Sequence, residues 1–518
     1  MSAPSSNRYD FVVIGAGHNG LVCAAYLARA GRSVLVLEAG AQPGGAAITR
    51  EFAPGLRVSA GAHLLHQLSA RIVADLALER HGLKLASGRM PTTALAMDAP
   101  PLVIEETRVS GVTARDVDAY AGFSERMQRF ARVLEPVLGQ TPPQLGTDAW
   151  SDRRALLGLG WRVRRLGRRD MRELLRIGAM NAHDLLEEHF ESPRLKGALA
   201  FDAVLGSNFG PRSPGTVLTL LHRYAAQLGA GSGLTLPVGG MGAVTAALAT
   251  AATAAGATVR TQARVRRVLV TDDAASGVEL ESGERIAAGA VVSNADPKTT
   301  LLGLLGAEHL DTGFVRRVHH LRSRGLAAKL HVALAGPPTF PGAELRSRLV
   351  VAPSAEYVER AFNHSKYGEC SLQPALEIVV TTACDASLAP EGRHVLSVVA
   401  QYAPYDLRGG WAAGRESFIE QVLTTLEAHA PGLRTQVRAV ELLAPPDLER
   451  EFGNAGGHWH HAELAFDQFF MLRPVPQAAQ YRTPMARLYL CGAGCHPGGG
   501  VTGLAGRNAA LEILAGAP

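Results

Sequence analysis

The chain has 518 residues, 47% of them hydrophobic and 19% charged, with a net charge of +5. That is a globular composition, too long for one compact core, and it excludes an intrinsically disordered chain. No basic stripe with interleaved aromatics appears, which argues against a nucleic-acid partner.

Met1–Asn7 is short, polar and rich in Ser, unlike a secretory leader. No run of about 20 apolar residues occurs, so no segment is expected to span a bilayer. Five scattered cysteines (Cys23, Cys370, Cys384, Cys491, Cys495) suit a reducing compartment. The expected setting is cytoplasmic, with peripheral membrane contact left open.

Tyr9–Ile14 is a short apolar run that suits a buried parallel strand. Gly15-Ala16-Gly17-His18-Asn19-Gly20 follows, then an alanine-rich helix over Leu21–Ala30. A second strand over Ser33–Leu37 ends at Glu38, 18 residues past Gly20. In this order each part has a task. Gly15 permits a tight turn, Gly17 lets backbone approach a pyrophosphate, and Gly20 lets the helix lie close to the strand. The helix N-terminus offers free N–H groups and a positive dipole end to phosphate. Glu38 stands where an acid accepts ribose hydroxyls. A lone GxGxxG is a weak signal, but strand, turn, helix, strand and acid together read as a Rossmann-like dinucleotide site.

The motif does not by itself choose FAD over NAD. Ala39-Gly40-Ala41-Gln42-Pro43-Gly44-Gly45-Ala46 places a Gly pair just after the ribose acid. It resembles the extension of the FAD-linked amine oxidase and phytoene desaturase superfamily. There the pair runs along the FAD diphosphate and ribityl chain, which implicates Ala39, Gly44, Gly45 and Ala46. The superfamily's usual arginines around the pair are Gln42 and Ala46 here, a departure from a typical amine oxidase.

Residues 111–235 read as helical. Between Arg153 and Arg176 nine arginines interleave with Trp161, Leu166, Met171, Leu174 and Leu175. The pattern is that of a basic amphipathic surface for anionic lipid, or of an ordinary solvated face. Leu236-Pro237-Val238-Gly239-Gly240-Met241-Gly242 reads as a turn and helix start, not a second nucleotide site, because its glycines are wrongly spaced and Pro237 interrupts the strand.

Gly256–Arg260 and Ala263–Val270 are predicted strands, Gly277–Leu280 and Arg285-Ile286 a hairpin, and Ala290–Pro297 a further strand. The resemblance implies that this region rejoins the FAD domain and that the Val265 backbone meets the adenine. Ala327–Leu334, Leu376–Val380 and His394–Ala400 are predicted strands and Phe418–His429 a helix, together a mixed substrate domain.

Gly456-Gly457-His458-Trp459-His460-His461 is followed by Gln468, Phe469 and Phe470. His460 and His461 are candidate acid/base residues, and His63, His66, Trp459 and Gln468 candidates to line a substrate cavity. No metal is expected, since His458 and His460 are two apart and no third ligand is assured. Arg487–Gly494 reads as a strand ending in glycines. After Cys495-His496-Pro497-Gly498-Gly499, Gly500 and Val501 are expected to open the last helix. Cys491 and Cys495 are not spaced as C-x-x-C and read as small residues near the cofactor.

The motifs from Gly15 to Leu21, Gly239 to Gly242, Ser293 to Pro297 and His496 to Gly503 resemble the phytoene desaturase, carotenoid isomerase and retinol saturase group. Within it they most resemble the branch called pyridine nucleotide-disulfide oxidoreductase domain-containing protein 2. The resemblance implies an α/β GR2-type flavoprotein. Its Rossmann-like FAD-binding domain would be built from residues 1–110, 236–300 and 451–518. A helical insert at 111–235 and an interleaved mixed α+β substrate domain at 301–450 would complete it. It places the last helix's N–H groups, with Gly494, Gly500 and Val501, at the flavin N1–C2=O. An FAD enzyme acting on an apolar small molecule is expected, with oxygen or a quinone as electron acceptor. The alternatives are a flavin amine oxidase and a non-enzymatic escort-type protein of the same fold.

Overall fold

The computed structural model describes residues 8–516 except 145 and 147. Two sheets organise it. In the first, strands Thr258–Arg260, Val34–Leu37, Arg8–Ile14 and Arg285–Ser293 lie side by side, followed by Ala274–Leu280 and Val265–Thr271. The first four pair in parallel. These apolar strands are covered by helices His18–Arg29, Gly242–Ala254 and Leu504–Gly516, and together they form the largest core. The small side chains of the first helix (Ala24, Ala25, Ala28) let the others pack closely against it.

One nine-residue strand, Arg285–Ser293, replaces two predicted elements. Its first half pairs antiparallel with Ala274–Leu280. Its second half pairs in parallel with Leu488–Leu490, so the C-terminal strand reaches the centre of the first sheet.

The second sheet has eight strands. Its centre is Ala327–Leu334, His394–Gln401, Ala375–Val380 and Arg348–Val351. Residues 92–110, grouped by the sequence with the first part of the FAD-binding domain, supply three strands to this second sheet instead. Ala328, Leu330, Val332 and Leu334 share a core with Trp411, Phe418, Val422 and Leu426 of helix Trp411–His429. With a period of two, the intervening residues, Lys329 and His331 among them, face the other way.

Helices Ala114–Leu138, Trp150–Arg165, Gly167–Ile177, Ala182–His189, Pro193–Val204 and Thr216–Ala230 occupy the predicted helical region. The arginine-rich stretch is broken at Gly167, whose φ of +84° an L side chain rarely adopts. No helix among the described residues is long and apolar enough to cross a membrane.

Candidate functional site

A cavity of about 370 Å³ is lined by both sheets and by the helical insert. One end is the N-terminal glycine turn. Gly15 sits at φ +89°, and a Cβ on Gly17 would come within 2.6 Å of the Asn294 side chain. A Cβ on Gly20 would come within 2.2 Å of the Gly15 carbonyl oxygen, which is why helix and strand can touch there. Gly17 caps helix His18–Arg29 with no side-chain bond to its first turn, so N–H groups there are left for a ligand.

The Gly pair completes this end. Gly44 adopts φ +137° and Gly45 φ +56°, and the Gly44 N–H donates to the Ala16 carbonyl at 2.9 Å. Glu38 accepts from the N–H groups of Ala16 (2.7 Å) and Gly40 (2.8 Å), which orients its carboxylate on the cavity wall. Gly15, Gly17, Asn19, Glu38, Ala39, Gly44, Gly45, Ala46 and Val265 all line the cavity. Ala16 and Gly20 lie behind the turn and do not reach it.

The C-terminal loop closes the middle. Gly499, Gly500 and Val501 line the cavity, but the last helix begins at Leu504, three residues later than expected. Gly503, at φ +72°, and the residues before it form a loop because glycines with positive φ leave the helical path. Gly494 does not reach the cavity; a Cβ there would press on Pro297 at 2.5 Å. Cys491 and Cys495 are free thiols buried in the core and likewise do not line it.

His460 and His461 line the cavity from a turn. The His460 ring is held against the backbone of Gly206 and Gly499, where a Cβ would overlap it at 2.3 and 1.5 Å. Burial pushes both histidines below their ordinary range, so both are neutral at neutral pH. Arg473, fully buried, holds this turn in place through carbonyls on both sides of the cavity loop. Trp459 also lines the cavity, whereas Gln468 is a buried brace to Arg322 and Glu463 and does not line it. Phe469 stacks edge-on against His222 and Phe470 tilts against His496, so neither becomes an aromatic wall. Among the described residues no group of three His, Cys, Asp or Glu is placed to hold a metal.

The other end carries charges that pattern reading passed over. His63 bonds Glu377 at 2.8 Å. Arg348 pairs with Glu377 and, at 2.6 Å, with Asp202. Arg223 lies 3.5 Å from Asp202. His63, His66, Asp202, Arg223, Lys329 and Glu377 all line the cavity. Helix Thr216–Ala230 brings Thr219, His222 and Arg223 to it because positions three and four apart share a helix face. A signal existed in the sequence: Lys329 and Glu377 interrupt largely apolar strands, and Arg348 opens one.

The pattern of the flavin-containing amine oxidoreductase family matches residues 20–514. The chain belongs to that family. It is 36% identical to pyridine nucleotide-disulfide oxidoreductase domain-containing protein 2 of Mus musculus, over 98% of this chain and 93% of the relative. It is 27% identical to the lycopene-forming phytoene desaturase of Pantoea ananas, over 97% and 98%. An oxidoreductase of Methanosarcina mazei has the same fold, with a TM-score of 0.60 over 98% and 99% of the two chains at 19% identity.

This member of the flavin-containing amine oxidoreductase family is therefore an FAD-dependent oxidoreductase, and its cofactor is FAD. The residues fit that group. Bare backbone at Gly15, Gly17, Gly44 and Gly45 lines the cavity, and the first helix is uncapped. The side-chain oxygen of Asn19 and Nε2 of His18 are buried at this turn without partners among the described residues.

Proposed function

We propose that the protein transfers a hydride between FAD and a carbon of an apolar small molecule, in a desaturation, saturation or isomerisation. The observation that carries this reading is one cavity with two ends. The glycine turn and Glu38 form one, and at the other the apolar side chains of Leu205, Val399 and Leu464 share the lining with Asp202, Arg223, Lys329 and Glu377. FAD, when bound, supplies the hydride-accepting ring nitrogen. In this reading Gly15, Gly17, Asn19 and the first helix turn take the pyrophosphate, and Glu38 takes the ribose. Ala39, Gly44, Gly45 and Ala46 follow the chain onward, Val265 meets the adenine, and Gly500 and Val501 meet the flavin ring. Ala16, Gly20 and Gly494 shape that bed from behind.

The protein's own part is orientation and exclusion of water. His63, His66 and Trp459 position the substrate. His460 and His461, kept neutral by burial, are the groups that accept or return a proton. In a desaturation the electrons leave to oxygen or a quinone; a saturation runs the other way and draws them from a reductant, and an isomerisation leaves none over. Amine oxidation is the competing reading. It is favoured by Trp459 on the cavity wall and weakened by the burial of Phe469 and Phe470 away from it.

The test is the absorption spectrum of the purified protein and its anaerobic bleaching by a substrate panel. Bleaching by an unsaturated or saturable apolar compound supports the proposal. Bleaching by amines alone, with peroxide on admitting air, replaces it.

We infer also that residues 150–177 rest on an anionic membrane surface. Trp150, Leu157, Trp161 and Leu175 are each at least 64% exposed. Around them Arg154, Arg162, Arg164, Arg165, Arg168, Arg169 and Arg172 have no carboxylate partner among the described residues, which suits an acidic lipid headgroup. Such a face would give an apolar substrate a path from the bilayer.

A further inference from the structure

A second recess, of about 770 Å³, lies in the helical insert between Ala114–Leu138, Gly167–Ile177 and Ala182–His189 and shares no lining residue with the cavity above. Five arginines and three carboxylates line it, and the carboxylates are already engaged. Asp170 pairs with Arg129 at 3.0 Å, and Glu173 and Glu188 both pair with Arg176, at 2.8 and 2.7 Å. Arg126 donates to Nε2 of His189 at 3.3 Å, a nitrogen left to accept because Nδ1 bonds the Leu185 carbonyl. Arg168, Arg169 and Arg172 are exposed and meet no partner among the described residues.

Helix period explains the arrangement. Leu174 and Ile177 face the core, so Arg168, Arg172 and Leu175 form one outward row and Arg169, Glu173 and Arg176 the row beside it. Arg168 and Arg172 are one turn apart, and like charges at that spacing destabilise a helix. No carboxylate among the described residues offsets that repulsion, whereas an anion in the recess would. Leu175 is 70% exposed, and Trp161, 64% exposed, stands on the adjoining helix Trp150–Arg165. Bare apolar side chains beside a basic recess do nothing for a soluble anion. They have a bilayer to enter if the anion is a lipid headgroup.

We propose that this recess receives the phosphomonoester of a lipid headgroup, the chemistry of phosphatidic acid, with Arg168, Arg169 and Arg172 as donors and Arg126 on the facing helix. The proposal rests on the membrane reading of residues 150–177 and narrows it from any anionic surface to one headgroup. The planar edge of a guanidinium presents two donors that match two oxygens of one anion. A phosphomonoester has three terminal oxygens and more than one negative charge, enough for several guanidiniums at once. A phosphodiester or a carboxylate offers two free oxygens and a single charge, and so satisfies fewer of them. Binding is ion pairing and hydrogen bonding alone, with the arginines donating and the phosphate oxygens accepting.

The test compares two anionic lipids at matched surface potential. The FAD-loaded protein is sedimented with phosphatidylcholine vesicles that carry either phosphatidic acid or phosphatidylserine. The expected result is binding to phosphatidic acid at least about tenfold tighter, as added hydrogen bonds between charged groups require. Arg168→Gln with Arg172→Gln removes the preference, while flavin content and melting temperature stay at the parent's values, because both side chains are exposed and unpartnered. Arg162→Gln with Arg164→Gln removes the same charge outside the recess, weakens binding to both lipids alike and keeps the preference. Equal binding to the two lipids overturns the proposal and leaves the membrane reading standing, as does a preference that survives in the Arg168 and Arg172 variant. Sedimentation with neither lipid overturns both. Inorganic phosphate, titrated by calorimetry, separates the source: if it binds while the two lipids sediment the protein equally, the recess serves a soluble anion and the lipid assignment falls.

Discussion

Replacing Arg473 by methionine isolates how the cavity loop is held. Arg473 is fully buried and pairs with no carboxylate among the described residues. Its Nη2 donates to the carbonyls of His460 (2.7 Å), Ala462 (3.1 Å) and Ala493 (3.0 Å). Nη1 donates to Glu463 (3.0 Å) and Gln468 (3.1 Å), and Nε to Cys495 (3.3 Å). Six carbonyls therefore depend on one side chain, and burial pulls its pKa down to about 10. Methionine fills a similar volume but donates nothing. At about 1 kcal/mol net for each lost bond, offset in part by removal of a buried charge, the loss is on the order of 5 kcal/mol. That amounts to a fall of about 5 °C or more in melting temperature. The turn carrying His460 and His461 should also loosen from the Ala493–Cys495 segment, so flavin content should fall with it. The Arg473→Lys variant keeps three donors on one atom and should fall between the parent and the methionine variant. Melting by differential scanning and flavin per protein by absorbance check both effects. A methionine variant that melts within about 1 °C of the parent with full flavin would refute the stapling role.

Gly20→Ala should lose most FAD while keeping the fold, because its Cβ would meet the Gly15 carbonyl at 2.2 Å and push the helix off the phosphate turn; a flavin-to-protein ratio equal to the parent's would contradict this. Glu38→Ala should weaken FAD by about tenfold or more, since the carboxylate holds Ala16 N–H and, in the proposed mode, takes the ribose; equilibrium dialysis of FAD measures it. Burial holds His18, His63, His222 and His496 at about 4 and His458 at about 3, against an ordinary 6.5. The unfolded chain takes up these protons first, so stability is full above pH 6.5 and declines as pH falls toward 4. Each histidine contributes about 1.4 kcal/mol per pH unit across that window. A melting temperature that stays level from about pH 7 to about pH 5 would rule it out. Trp161→Glu with Leu157→Glu should abolish sedimentation with vesicles of phosphatidylserine and leave soluble activity intact. Equal binding to neutral phosphatidylcholine vesicles would argue against the basic face.

Much of the FAD end was legible in the chain order. Period, glycine spacing and Glu38 are local properties, and local backbone chemistry is enough to build a strand, a turn and an uncapped helix. The second end was not legible, because its charges are distant in the chain. Lys329, Glu377, Arg348, Asp202 and Arg223 lie up to 175 residues apart, from Asp202 to Glu377, and only sheet register and helix packing bring them to one wall. A charge inside an apolar strand signals that something is buried there, yet its partner is named by the fold. The single strand Arg285–Ser293 and the placing of residues 92–110 in the second sheet are of the same kind, since each is paired with strands distant in the chain. The late start of the last helix at Leu504 follows instead from Gly503 just before it. The order of residues alone points to a dinucleotide cofactor, because its signals are local. Packing in three dimensions selects which charges face the cavity, because that depends on neighbours no local pattern can record.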